Sequence, residues 1–265
     1  MTFHINNDIA KRTRLDGKLA IITGGGSGIG KACAEIFAAA GAHVVVAGRS
    51  MDKLEVVAKL VNGTAIKCDV SNWQDVENLF AQALKITGKI DILVNNAGGP
   101  GPIATMADLD IEAWRACMEV NLFGAVYCMK AASKIMCGQK SGSIINMSSL
   151  MGIQGYPMRS AYCASKFALV GMTETLAREV GEFGVRCNVL MPGAVYGDNM
   201  DRILAKRSVA EGRPTEDIVK ENYTDPAALK RWVDPLEVGY AALYYASDAS
   251  SAITGDKAKI DCGRF

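Results

Sequence analysis

Short apolar runs alternate with longer helical patterns along most of the chain. The runs have four to six residues, as in strands buried on both faces of a sheet, and they cover 18–23, 43–47, 64–68, 91–94, 143–147 and 185–190, with 257–260 as a candidate seventh. Helices are predicted over 31–40, 52–60, 72–86, 111–136, 161–182 and 235–247. Because this alternation requires crossover connections, it predicts one α/β domain with a parallel sheet covered on both faces.

An insert of about forty residues interrupts this alternation between Pro192-Gly193 and Asp234-Pro235. It is polar for a core element, and short helices are predicted near 199–209, 215–222 and 226–231. Ligands of open parallel sheets bind beyond the carboxyl ends of the strands, and the insert follows such an end. We therefore interpret 194–233 as a small helical lid over a substrate pocket; a surface excursion without function is the alternative. Residues 1–14 are expected to form a polar tail, and 15–265 a single domain.

Composition and charge narrow the classes of function. The chain has 265 residues, of which 49% are hydrophobic and 22% charged, and its formal net charge is +1. This balance gives no global attraction to nucleic acid or to an anionic membrane. The eight cysteines contain no CxxC pair and the two histidines lie far from them, so neither a disulfide framework nor a metal site is predicted. Without a signal-peptide pattern or an apolar run near the ~18 residues of a membrane span, a cytoplasmic protein is expected.

A glycine-rich segment joins the first strand to the first helix, with the sequence Thr23-Gly24-Gly25-Gly26-Ser27-Gly28-Ile29-Gly30. Glycines let a backbone approach a pyrophosphate closely, and a helix N-terminus offers free N–H groups and a positive dipole end. The spacing is GxxxGxG, not the GxGxxG of the common fingerprint, and a plain glycine turn is the alternative. The predicted dinucleotide contacts in this loop are Gly24, Gly26, Ser27, Gly28, Ile29 and Gly30.

The end of the second strand bears on the choice of cofactor, and it reads Ala47-Gly48-Arg49-Ser50. An acidic residue there would bind the ribose hydroxyls of NAD, whereas an arginine accepts the 2′-phosphate of NADP. Because no carboxylate is present and Arg49 carries a fork of donors, NADP(H) is favoured and NAD(H) stays possible, with Ser50 beside it. Asp69 follows the third strand and is a candidate acceptor for the adenine amino group; a turn aspartate is the alternative.

Tyr162 and Lys166 lie four residues apart in a predicted helix, so their side chains share one face. A free tyrosine, with a pKa of about 10, is a poor acid or base at neutral pH, and a nearby cation lowers that pKa. Lys166 can supply the cation, and Ser149, after the fifth strand, can hold a substrate oxygen beside the phenol. The YxxxK spacing alone is weak evidence, because a solvated helix face also produces it by chance.

Four motifs together resemble those of the short-chain dehydrogenase/reductase family in order and spacing. They are the glycine loop at 23–30, Asn95-Asn96-Ala97-Gly98, Ser149 with Tyr162 and Lys166, and Pro192-Gly193. The resemblance runs from about residue 16 to the end of the chain. It implies a single Rossmann-type doubly wound parallel sheet of about seven strands and an NAD(P)-dependent alcohol dehydrogenase or carbonyl reductase. It also implies a catalytic tetrad of Asn121, Ser149, Tyr162 and Lys166, and further cofactor contacts at Val70, Asn96, Ala97, Gly98, Tyr162, Lys166, Pro192, Gly193 and Val195.

The mechanism implied by this resemblance pairs a proton with a hydride. In reduction, the hydride passes from nicotinamide to a carbonyl carbon while Tyr162 donates its proton to the oxygen that Ser149 polarises. Lys166 lowers the tyrosine pKa and binds the nicotinamide ribose, and Asn121 holds a water that links Lys166 to solvent. No metal is needed.

Two positions depart from the common family pattern. Gly197 stands where many relatives have a threonine that holds the nicotinamide carboxamide, so backbone groups near Val195 are expected to serve instead. Ser27 stands where relatives that prefer NADP often carry a basic residue, which weakens the NADP preference without reversing it.

The sequence does not select the substrate. A small ketone, a polyol or sugar, a hydroxy acid and a 3-oxoacyl thioester all fit, and the insert carries seven basic and seven acidic residues, which gives no support for an anionic substrate. A dinucleotide-binding sensor without turnover is a rival from another class, and an epimerase or dehydratase of the same superfamily is a third. The resemblance also implies a homo-oligomer, a tetramer or dimer, built from the helices around 111–136 and 161–182.

Overall fold

A computed structural model of the chain contains seven parallel strands in one sheet. The structure describes residues 9–264 apart from 198, 199, 202, 203, 206, 207, 210 and 211. The strands are β1 (Leu19–Thr23), β2 (His43–Gly48), β3 (Thr64–Lys67), β4 (Ile92–Asn95), β5 (Gly142–Met147), β6 (Val185–Pro192) and β7 (Lys257–Ile260). Their order across the sheet is β3-β2-β1-β4-β5-β6-β7, which confirms the predicted Rossmann-type doubly wound sheet.

Helices cover both faces of the sheet. They are α1 (Ile9–Arg12), α2 (Gly28–Ala39), α3 (Met51–Leu60), α4 (Trp73–Thr87), α5 (Ile111–Met118), α6 (Gly124–Gln139), α7 (Ser160–Val180), α8 (Thr215–Val219) and α9 (Pro235–Ala246). The predicted helical stretch over 111–136 is observed, and within it a π-helical turn, Glu119–Phe123, joins α5 to α6. Asn72 caps α4, since its side chain accepts hydrogen bonds from two backbone N–H groups of the first turn.

The alternation of side chains along each strand produces two apolar layers. On β1, Leu19 and Ile21 pack into the layer under α4, α6 and α7, while Ala20 and Ile22 pack into the layer under α2, α3 and α9. All four are fully buried. Both layers therefore fix the strands in position. The carboxyl end of β1 lies where the strand order reverses, since β1 has β2 on one side and β4 on the other.

The insert between β6 and α9 is fastened at its base. Val195 and Val233 form a parallel bridge, in which Val233 N–H donates to Ala194 and Tyr196 N–H donates to Val233. Within the insert, α8 is followed by a π-helical turn, Lys220–Thr224, which extends the predicted 215–222 helix. The predicted helix near 199–209 lies partly outside the described residues.

The prediction of a helix over 226–231 was wrong. Ala227 forms an antiparallel bridge with Arg264, and the N–H groups of Ala228 and Leu229 donate to the carbonyls of Gly263 and Cys262. These two N–H groups are therefore not available for the hydrogen bonds of a helix.

Candidate active site

A cleft of about 220 Å³ opens at the carboxyl ends of β1, β2 and β3. Open parallel sheets bind dinucleotides at this position, beside the reversal in strand order. Nine predicted cofactor contacts line the cleft: Gly24, Gly26, Ser27, Arg49, Ser50, Asp69, Val70, Ala97 and Gly98. The other lining residues are Gly48, Lys53, Leu54, Cys68 and Val120, which sequence reasoning missed. The other nine predicted contacts are outside this lining: Gly28, Ile29, Gly30, Asn96, Tyr162, Lys166, Pro192, Gly193 and Val195.

The glycine loop is held against the β4 loop by a buried threonine. The hydroxyl of Thr23 accepts hydrogen bonds of 3.0 Å from the N–H groups of both Asn96 and Ala97. The Asn96 side chain in turn donates to the carbonyls of Thr23 and Gly24 at 3.0 and 3.2 Å. Thr23 and Asn96 therefore act from behind the loop, where they fix its backbone for a ligand.

Two glycines of the loop have no room for a side chain. Gly24 has φ of +65°, and a Cβ there would lie 2.9 Å from the Asn96 side-chain nitrogen. A Cβ on Gly30 would overlap the carbonyl oxygen of Gly24. Helix α2 thus begins in close contact with the loop, directly after Ser27 in the cleft lining, and the N-terminus of a helix is suited to a pyrophosphate. These features fit a dinucleotide cofactor.

Charged groups gather at the adenosine end of the cleft. Arg49 and Lys53 are both exposed there, and the Cβ of Lys53 would lie 3.1 Å from a Cβ on Gly26. Asp69 Oδ1 accepts hydrogen bonds of 2.6 and 3.0 Å from the Ser71 hydroxyl and N–H. These bonds, with a smaller contribution from Arg49, hold the pKa of Asp69 below its ordinary value. The carboxylate is therefore charged, as an acceptor for an adenine amino group must be.

Tyr162 and Lys166 lie together near the carboxyl end of β5. The Nζ atom of Lys166 lies 5.6 Å from the Tyr162 ring centroid and donates a hydrogen bond of 2.7 Å to the Met147 carbonyl. Burial lowers the pKa of Lys166 to about 8. Burial raises the pKa of Tyr162 above 10, and this is opposed by hydrogen bonding with Ser149 and by the charge of Arg159. The lowering of the Tyr162 pKa that we expected from Lys166 is thus not produced by the residues of the chain alone.

The two adjacent serines have different surroundings. The Ser148 hydroxyl is buried and donates to the Lys166 carbonyl at 2.9 Å, which ties β5 to α7. Ser149 is partly exposed, accepts a hydrogen bond from Met151 N–H and lies within reach of Tyr162. This difference agrees with the choice of Ser149 as the serine that faces a substrate.

Asn121 lies in the π-helical turn and is 1% exposed. Its amide donates to the Gly99 carbonyl at 2.9 Å and accepts from the Gly99 N–H at 2.8 Å. A π turn shifts a side chain relative to the helical repeat, and such turns often occur at functional sites. Here the shift brings Asn121 against the loop after β4, and a Cβ on Gly98 would lie 3.0 Å from Asn121 Oδ1 and 3.7 Å from Lys166 Nζ.

Open parallel sheets bind ligands at the carboxyl ends of their strands, so a groove elsewhere on the described chain is a weaker candidate. A larger groove, about 320 Å³, lies at the opposite edge of the sheet, where it is lined by Lys18, Asp91 and Arg186 among others. Within residues 9–264, with the gaps named above, no group of His, Cys, Asp and Glu could hold a metal, and no helix is long and apolar enough to cross a membrane. All eight cysteines are free.

The fold and the cleft define a dinucleotide-binding α/β protein. A sequence model of the short chain dehydrogenases matches residues 18–208. Among curated relatives, a 2,5-dichloro-2,5-cyclohexadiene-1,4-diol dehydrogenase of Sphingobium indicum is 36% identical, over 94% of this chain and 97% of the relative. A 3-oxoacyl-[acyl-carrier-protein] reductase of Thermotoga maritima is 34% identical, over 94% and 98%. The crystal structure of levodione reductase superposes with a TM-score of 0.89 at 28% identity, covering 94% of this chain and 98% of that one.

The chain therefore belongs to the short-chain dehydrogenase/reductase family. It is an oxidoreductase that uses NAD(P) and acts on alcohol- and ketone-type small molecules.

Proposed function

We propose that this protein interconverts a secondary alcohol and a ketone or aldehyde with NADP(H), and that Tyr162 is the general acid and base. The observation that supports the proposal is the grouping of Tyr162, Ser149, Lys166 and Asn121 beside the dinucleotide cleft. Mere binding of a nucleotide requires neither a partly buried phenol nor a serine beside it. The bound cofactor supplies or accepts the hydride, and the side chains supply the proton and the orientation.

Each member of the tetrad has a role that its contacts support. Tyr162 exchanges a proton with the substrate oxygen, and Ser149 donates a hydrogen bond to that oxygen. Lys166, with a pKa of about 8, is mostly protonated at neutral pH and places a cation behind the tyrosine ring. Asn121 holds the Gly99 backbone, so that the loop above the reacting carbon keeps its shape.

The preference for NADP(H) rests on the charges at the end of β2. Arg49 and Lys53 form a pair of cations where the 2′-phosphate would lie, and no carboxylate occupies position 48. Arginine binds phosphate through two parallel hydrogen bonds, and lysine adds a mobile point charge. NAD(H) is the alternative cofactor, and Asp69 is proposed to accept a hydrogen bond from the adenine in either case.

The nicotinamide end of the site is proposed to use the backbone near Val195. In the bridge to Val233, the hydrogen bonds are made by Ala194 and Tyr196, so the N–H group of Val195 points away from Val233. This N–H group can donate to the nicotinamide carboxamide. It would take the role of the threonine that many relatives have where this chain has Gly197. We propose that 194–233 is the substrate lid of one domain spanning 15–265.

A second copy of the chain is proposed to cover an apolar surface beside the tetrad. Phe123 and Phe167 are 42% and 44% exposed, and Gly171 on α7 is open to close approach. Leu169, by contrast, is buried in the core, so it is not available for such packing. A dimer or tetramer that uses α6 and α7 would bury these rings. The eight free cysteines favour a reducing, cytoplasmic location.

The test is an absorbance assay at 340 nm with NADPH and NADH across a panel of ketones, aldehydes, sugars, oxo acids and 3-oxoacyl thioesters. We expect NADPH consumption with at least one carbonyl, and Tyr162→Phe should abolish it while NADPH binding is preserved. Turnover that survives in Tyr162→Phe contradicts the assigned role. Tight NADPH binding without turnover of any compound contradicts the enzyme proposal and supports a sensor.

A further inference from the structure

Arg159 is a second cation beside the proposed proton donor. It immediately precedes α7, and its guanidinium carbon lies 5.1 Å from the ring centroid of Tyr162, closer than Lys166 Nζ at 5.6 Å. The Nη2 atom donates a hydrogen bond of 3.0 Å to the Pro100 carbonyl. This bond fixes the guanidinium between the loop after β4 and the start of α7, on the side where a substrate would enter.

One donor of this guanidinium, Nε, is buried without an acceptor in the described part of the chain. Arginine carries five N–H donors, and the bond to Pro100 is the one side-chain hydrogen bond of Arg159 within the described residues. Its Nε atom is buried and has no hydrogen-bond partner. No carboxylate in the described part of the chain forms an ion pair with it, although eight other such pairs are present. A buried donor without an acceptor is costly, and a ligand that supplies one relieves that cost.

The surroundings of Arg159 add positive charge and do not neutralise it. Lys166 is the nearest other ionised group at the ring of Tyr162, and the charges of Lys166 and Arg159 both favour the thiolate of the buried Cys117. Two cations therefore lie 5.1 and 5.6 Å from the centroid of the Tyr162 ring. A bound anion would balance this charge, and a carboxylate matches the planar fork of a guanidinium.

We propose that Arg159 binds a carboxylate of the substrate, so that the substrate is a short 2- or 3-oxo acid or the corresponding hydroxy acid. The short distance to the Tyr162 ring requires that the carboxylate and the reacting carbonyl be separated by few bonds. The inference rests on the proposed function and names its substrate class. Charge in the insert is balanced, and selection of an acid therefore comes from Arg159.

The first test compares 2-oxobutyrate and acetoacetate with their methyl esters, which keep the ketone and lack the charge. We expect kcat/KM for the acids to exceed that for the esters by about tenfold or more, the effect of one charge-assisted contact. Arg159→Gln should abolish this ratio by raising KM for the acids and not for the esters, while any change in kcat that comes from the charge of Arg159 beside Tyr162 is shared by acids and esters. Arg159→Lys should retain part of the ratio. The control is Arg178→Gln, which removes an exposed arginine near the other end of α7.

The second test measures binding without turnover. Tyr162→Phe protein loaded with NADPH is titrated with each acid and ester, and quenching of NADPH fluorescence is followed. The acids should bind more tightly than the esters. This difference in affinity should be absent in the double variant that carries both Tyr162→Phe and Arg159→Gln. Thermal melting shows whether each variant is folded.

The two tests separate failure of this inference from failure of the proposed function. Esters that bind and react as well as acids overturn the inference while the oxidoreductase proposal stands. An Arg159→Gln variant that loses acids and esters equally, with a shifted pH profile, also overturns it, because Arg159 would then only support Tyr162. Arg159-dependent binding of acids without turnover of any compound supports the inference and contradicts the proposed enzyme.

Discussion

The Nζ atom of Lys166 donates a 2.7 Å hydrogen bond to the carbonyl oxygen of Met147, the last residue of β5. The lysine side chain is 5% exposed, and burial lowers its pKa from 10.5 to about 8. Burial of a cation lowers the free energy of unfolding. Here the cation lies beside the tyrosine that we propose as the proton donor, whose ionised form a positive charge stabilises.

Lys166→Met should therefore stabilise the protein at pH 7 while it abolishes turnover. The folded pKa lies below the unfolded one, so the unfolded state binds more protons between about pH 8 and 10.5, and wild-type stability rises with pH across that window. Below about pH 8 the penalty is fully present and corresponds to about 3 kcal/mol. Loss of the bond to Met147 offsets part of it, which leaves a net gain of about 1–2 kcal/mol.

Urea unfolding at pH 7, 9 and 10 measures this effect. The rise in stability between pH 8 and 10.5 should be smaller in Lys166→Met than in the wild type, and Lys134→Met, at an exposed position of α6, serves as the control. A Lys166→Met variant that is less stable than wild type at pH 7 and keeps the same pH dependence would show that burial does not lower the pKa of Lys166.

Arg49→Ala should weaken NADPH use more than NADH use. The side chain is exposed at the end of the cleft, where it can meet the 2′-phosphate that NADH lacks. A charge-assisted hydrogen bond contributes about 1.5–3 kcal/mol, so we expect KM for NADPH to rise about ten- to hundredfold and KM for NADH to change little. Lys53→Ala should act in the same direction with a smaller effect, because lysine binds phosphate as a point charge.

Lys59→Ala provides the control for both variants, since it removes an exposed cation from α3, the helix that carries Lys53, outside the cleft lining. Steady-state kinetics at saturating substrate gives kcat and KM for NADPH and for NADH. Equal losses with the two cofactors would assign Arg49 and Lys53 to general attraction of the pyrophosphate instead.

Gly30→Ala should disrupt the cofactor cleft, whereas Gly138→Ala should not. Both glycines lie in helices, but a Cβ at Gly30 would overlap the Gly24 carbonyl, and a Cβ at Gly138 meets open space. In an exposed helix interior, alanine is favoured over glycine by about 0.5–1 kcal/mol. Gly138→Ala should therefore raise the melting temperature slightly, while Gly30→Ala lowers NADPH affinity.

Fluorescence titration with NADPH, together with thermal melting, distinguishes the two variants. Unchanged NADPH affinity in Gly30→Ala would mean that the helix can move away from the loop, and that close packing at this point is not what shapes the phosphate site.

The sheet was predictable because strands buried on both faces leave continuous apolar runs. All seven strands lie within a residue or two of the predicted positions, and each is bounded by glycine, proline or a polar residue that ends the run. The proposed tetrad rests on the joint spacing of motifs. Physical reasoning alone supplied Tyr162 and Lys166, and it gave no reason to single out Asn121.

What could not be predicted depends on contacts distant in sequence. The π turn at Asn121 interrupts no apolar periodicity, so the pattern reads as one helix through it. The 226–231 segment has helical composition, but its partner is the C-terminal segment, and Lys230 takes a positive φ of 55°. Arg159 belongs to no motif. It is recognised by its contact with the Tyr162 ring, by its hydrogen bond to the Pro100 carbonyl and by its buried Nε atom, which has no hydrogen-bond partner in the described part of the chain.

The bridge between Val195 and Val233 brings the two ends of the insert together on the body of the domain. A segment whose ends are adjacent can change in length and sequence without moving the strands that precede and follow it. We therefore expect that transplanting 194–233 between relatives transfers preferences for substrate size, while the proposed carboxylate contact at Arg159 stays with the recipient.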